Sequence, residues 1–92
     1  MSNWYEDDGV VGTYTEDERR SIVAERADDR LTEDPTYYTE RVEDNGVAAV
    51  VTALAGELGD YLHYMCGQDL SDAAYEGVAE RALVKHGIIP PQ

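Results

Sequence analysis

The chain has 92 residues, 42% of them hydrophobic, and carries 20 Asp and Glu against seven Lys and Arg, a formal net charge of −13. A domain of this size hides roughly 60–65% of its unfolded surface, enough for one small core, and so large a negative excess excludes direct binding of DNA or RNA, where each phosphate would meet repulsion instead of counterion release. Cys66 stands alone, which excludes an internal disulfide and a multi-thiolate metal centre, and neither a membrane span of ~18 apolar residues nor a basic-then-apolar secretory leader is seen, so a cytoplasmic protein is expected.

Residues 1–14 read as an N-terminal arm. Trp4, Tyr5, Val10, Val11 and Tyr14 surround Asp8-Gly9, a turn-favouring dipeptide, so the arm is expected as a short hairpin or a mobile tail. Residues 15–92 read as a single helical domain. Thr15 followed by Glu18 is a capping box that starts the first helix, in which Val23, Ala27 and Leu31 recur every fourth residue beside Ile22. Arg19, Arg20, Arg26 and Arg30 interleave there with Glu16, Glu25, Asp28 and Asp29, allowing local pairs.

Asp34-Pro35 supplies an N-cap and a first-turn proline for a second, shorter helix through Tyr37, Tyr38, Arg41 and Val42. Asn45-Gly46 either ends it or bends the chain sharply into the next helix. Val47 to Cys66 carries the strongest period, with Val47, Val50, Val51, Leu54, Leu58, Tyr61, Leu62 and Met65 three or four apart, and predicts the central core helix. Ala49, Ala53 and Gly56 form a second, flat stripe suited to close approach of another backbone. Gly67 ends this helix, and Ser71 caps a last one over Asp72 to His86, closed by Gly87 and Pro90 and expected to pack antiparallel to the central helix. The expected fold is all-α, a small bundle of three to four helices with a short N-terminal arm.

Charge is uneven. Residues 1–45 hold 14 acids and five bases, residues 46–92 six acids and two bases, so recognition is expected on the first two helices, with the last two as scaffold. In size, helicity and charge the chain resembles DNA-mimic proteins, which phages and mobile elements carry against restriction and CRISPR enzymes. That resemblance implies an anti-restriction or anti-CRISPR inhibitor of a host nucleic-acid-binding enzyme, acting in the host cytoplasm. Glu16, Asp17, Glu25, Asp28, Asp29, Glu33, Asp34, Glu40 and Glu43 would replace phosphates, with Tyr37 and Tyr38 joining the partner-binding patch. The bland alternative is a merely solvated acidic surface, with the tyrosines edging the core. A rival from another class is a structural or assembly protein, a homodimer or virion component joined through Ala49, Ala53, Gly56 and exposed tyrosines, whose acidity serves solubility or high salt.

Chemistry is sparse. Glu57, Asp60 and His63 lie three residues apart on the central helix and are the metal-ligand candidates, but successive members point about 60° apart and the two ends about 120° apart, so a ligand set would need another helix. A polar strip, or a hydrogen bond from His63 to Asp60, is the alternative. Cys66 in an acidic field reads as an inert thiol. Phosphate-binding glycine loops, catalytic triads and zinc-ligand spacings are missing from the sequence, so neither an enzyme nor a cofactor is expected.

Overall fold

The computed structural model describes residues 14–91 and shows a four-helix, all-α bundle with no strand among them. The helices are α1 (Glu16–Glu33), α2 (Pro35–Asn45), α3 (Val47–Cys66) and α4 (Asp72–Lys85). The arm expected over residues 1–14 lies outside the described residues except for Tyr14. Tyr14 is tied at both backbone groups: its N–H donates to Gln68 Oε1 at 2.8 Å, and its carbonyl accepts from Arg19 Nη1 at 2.7 Å.

Each helix boundary has a local cause. The Thr15 hydroxyl accepts from the Glu18 amide at 3.2 Å while Glu18 Oε1 accepts from the Thr15 amide at 2.8 Å, completing the capping box of α1. Asp34 then serves two helices, ending α1 and accepting the Tyr37 amide at 3.3 Å to start α2, with Pro35 in the first turn where its missing N–H costs nothing. A single residue, Gly46 at φ 91°, separates α2 from α3, so the sharp bend is the form the chain takes there. Positive φ at this point suits glycine and few other residues. The last helix stops at Lys85, one residue short of expectation, because His86 occupies the cap, Gly87 turns left-handed and the Ile88 amide reaches back to the Leu83 carbonyl at 2.9 Å.

The core sits where three helices meet. Val23, Ala27 and Leu31 of α1, Leu54, Leu58 and Leu62 of α3, and Ala79 and Leu83 of α4 are all fully buried. Tyr75 near the start of α4 packs on Gly59 late in α3, while Glu80 lies across from Val47 at the start of α3, so the two helices run antiparallel. Burial pushes the Tyr75 phenol up, and its oxygen accepts the Leu70 amide at 2.9 Å, fixing the α3–α4 link.

Two core expectations need correction. Met65 is 48% exposed: the apolar period runs to the last turn of α3, but no described side chain covers it there. Ala49, Ala53 and Gly56 are exposed, and nothing approaches within 4 Å of a Cβ built at Gly56. The close approach of another helix happens instead at Gly59, against Tyr75, on the side of α3 that also carries buried Ala55 one turn earlier.

Candidate partner-binding surface

Of the bases of α1 and α2, Arg20 and Arg30 meet carboxylates, Arg26 and Arg41 lie on aromatic rings, and Arg19 bonds the Tyr14 carbonyl. Arg20 Nη2 meets Glu16 Oε2 at 2.8 Å, and that hydrogen bond holds Glu16 below the usual carboxylate range. Arg30 Nε reaches across to Glu57 Oε1 on α3 at 3.1 Å, and its Nη1 lies 3.6 Å from Glu33 Oε1. The bond to Glu57 raises the Arg30 pKa further. Arg26 covers the Tyr61 ring at 4.7 Å from its centroid and Arg41 the Tyr37 ring at 5.4 Å, both cation–π contacts that leave acids unpaired.

Several of the proposed phosphate substitutes are therefore already engaged. Glu16 and Glu33 pair within α1, and Asp34 is a cap. Asp28 accepts from Lys85 Nζ at 3.1 Å and sits 3.0 Å from His86 Nε2, an inter-helix tie in which the Lys85 hydrogen bond, then that of His86, lowers its pKa. Tyr38 is 2% exposed, with its hydroxyl donating to Glu57 Oε1 at 3.0 Å. Its ring belongs to the core and is not presented to a partner, whereas Tyr37, packed edge-on against it, is 42% exposed. Burial first, and the Glu57 charge second, push Tyr38 up to about 12.

Ten carboxylates have no side-chain ion pair or hydrogen bond among the described residues: Asp17, Glu25 and Asp29 on α1, Glu40, Glu43 and Asp44 on α2, Asp60 on α3, and Asp72, Glu76 and Glu80 on α4. Glu25 and Asp29 follow the outer side of α1, away from buried Val23, Ala27 and Leu31. The α4 set was not foreseen. Asp72, Glu76 and Glu80 recur every fourth residue on one side of α4, and the groove between α3 and α4 adds Asp60 and Asp69. This groove has two adjoining cavities of about 530 and 600 Å³ that share Thr52 and Glu76. The i, i+4 spacing is the signal of the α4 row in the sequence, lying in the half of the chain with the smaller charge excess.

The Glu57, Asp60, His63 trio is not brought together. Glu57 turns to Arg30 and Tyr38, Asp60 stands on the ridge of α3 between the α1–α3 and α3–α4 grooves, and His63 Nδ1 lies 3.8 Å from Asp69 rather than bonding Asp60. No group of three or more His, Cys, Asp and Glu able to hold a metal ion forms among the described residues. The half-buried Cys66 Sγ donates to the Leu62 carbonyl at 3.4 Å within its own helix. Tyr64, 85% exposed, stands beside Asp60 and Tyr61 at the α1–α3 groove and is the most exposed aromatic among the described residues. Among the described residues no helix is long and apolar enough to cross a membrane. Comparison with protein-family models, with curated proteins and with solved structures gives no match.

Proposed function

We propose that this protein is a non-enzymatic binder of a basic protein surface, most specifically a decoy that occupies the phosphate-contacting groove of a nucleic-acid-binding enzyme in the cytoplasm of its host. The observation that carries this reading is the set of rows of unpaired carboxylates, Glu25 with Asp29 on α1 and Asp72, Glu76 and Glu80 on α4. Like charges at i, i+4 destabilise a helix by a few tenths of a kcal/mol per pair, and a net charge of −13 adds diffuse self-repulsion. Nothing inside the described chain offsets that cost. Basic groups on a partner would, and the same field would steer association and make it salt-sensitive. Asp17, Glu40 and Glu43 remain available to such a partner; Glu16, Asp28, Glu33, Asp34 and Tyr38 act within the fold.

The test is capture of basic nucleic-acid-binding proteins from the native host, with each captured partner then assayed for displacement from DNA or RNA. Binding that weakens from low to moderate salt, and is lost on Asp72→Lys, Glu76→Lys, Glu80→Lys or on Glu25→Lys, Asp29→Lys, supports the reading. Binding indifferent to both would contradict it. A second reading, a homo-oligomeric assembly protein, draws on the uncovered Ala49, Ala53, Gly56 stripe beside exposed Tyr37. It predicts self-association that persists in salt and is broken by Ala53→Glu.

A further inference from the structure

Between α1 and α4 lies a cavity of about 310 Å³ that stands apart from the acidic groove. Ala24, Val78 and Ala82 give it an apolar lining, and three of the seven Lys and Arg in the chain, Arg20, Arg81 and Lys85, surround that lining together with one carboxylate, Asp28. Its charges do not cancel. Arg20 is matched by Glu16 at 2.8 Å and Lys85 by Asp28 at 3.1 Å, but Arg81 has no side-chain partner among the described residues. The helix denies it one, since the residues three and four away are Gly77, Val78, Val84 and Lys85. A guanidinium without a carboxylate, on a surface crowded with free carboxylates, is the odd feature of this face.

We propose that this cavity is a binding site for a small monocarboxylic acid with an apolar body. The carboxylate seats on the Arg81 fork, whose paired N–H groups match it bidentately, and the hydrocarbon part lies against Ala24, Val78 and Ala82. The Ser21 hydroxyl, also in the lining, supplies a further donor. Charge sets the class of ligand. One uncompensated cation accepts one negative charge, while additional phosphates of a nucleotide or polyanion would meet Glu16, Asp28 and the field of the whole molecule. The volume lies at the lower end of ligand pockets, which run from roughly 300 to 1,000 Å³, so a benzoate-sized acid suits it. This site is independent of the basic-partner surface and neither reading requires the other.

The experiment titrates benzoate into the isotope-labelled full chain and follows amide resonances, with benzyl alcohol as the neutral body and inorganic phosphate as the bodiless anion. The expected result is saturable shifts centred on Ala24, Val78, Arg81 and Ala82 with benzoate. Affinity should fall by about tenfold or more for benzyl alcohol, and in Arg81→Gln, from loss of the charged hydrogen bonds. Arg81→Lys, which keeps charge but not the fork, should fall in between and serves if the Gln variant folds poorly by circular dichroism. Shifts that do not saturate, that scatter over the surface, that phosphate or the alcohol reproduces equally, or that survive Arg81→Gln would overturn the proposal.

Discussion

The Arg30 guanidinium of α1 and the Glu57 carboxylate of α3 meet at 3.1 Å, and the same Glu57 oxygen accepts the Tyr38 hydroxyl of α2 at 3.0 Å. One carboxylate thus ties three helices together. Both partners of the ion pair keep about a third of their side chain in solvent, 31% for Arg30 and 38% for Glu57, so screening limits its strength. Glu57→Gln should lower unfolding free energy in denaturant by about 1 kcal/mol. A double-mutant cycle with Arg30→Met should return a positive coupling energy; strict additivity would show that the pair contributes nothing.

Tyr38 gives the fold an alkaline limit. Its folded pKa, about 12, lies above its ordinary value of 10.0, so its contribution to stability is complete below pH ~10 and disappears as pH rises through ~12. Phenolate absorbance should therefore show a late phase, to which buried Tyr75 also contributes, rising together with loss of helix signal. Tyr38→Phe should shrink that late phase by one tyrosine. A late phase of unchanged size in the variant would assign it elsewhere.

Asp28 sets an acid limit in the opposite sense. Hydrogen bonds from Lys85 and His86 lower its pKa, so the stabilisation is present above the ordinary carboxylate value near pH ~4 and is lost as pH falls through the lowered folded value. Asp28→Asn should lower Tm at neutral pH, and the gap between wild type and variant should shrink toward pH ~3. A constant gap across that range would mean the carboxylate charge is not what joins α1 to α4.

The bundle was largely readable in the chain because its helix ends use local chemistry. Thr15 with Glu18, Asp34 with Pro35, Gly67 and Ser71 each act within four residues of themselves, so spacing alone placed the starts of all four helices and the end of α4 within a residue. Which side of a helix meets which neighbour is not local. The i, i+3 spacing of Glu57, Asp60 and His63 suggests a shared face, but Arg30 and Tyr38, 27 and 19 residues away, draw Glu57 from it. Tyr37 and Tyr38 are adjacent and chemically identical, and only the packing of α2 on α3 puts one inside and the other out. The α3–α4 acidic groove needs the antiparallel pairing of those helices before Asp60 and Asp72 can face the same space.

Core packing offers a direct check on the arrangement itself. Leu58, fully buried at the middle of α3, should cost about 2–5 kcal/mol when truncated to Ala. Tyr64→Ala, at an 85% exposed position, should change stability by no more than ~0.5 kcal/mol. Equal effects at the two sites would contradict the assignment of inside and outside on α3.

The acidic rows are best tested at Glu76, flanked at four residues on either side by Asp72 and Glu80. Glu76→Lys replaces two repulsions with two attractions, each worth a few tenths of a kcal/mol, while removing a charge from the α3–α4 groove. Tm and affinity for an arginine-rich peptide, both at low salt, should then move in opposite directions, Tm up and affinity down. A variant that melts no higher and binds the basic peptide as well as the wild type would show that these carboxylates are neither a burden on the fold nor a means of recognition.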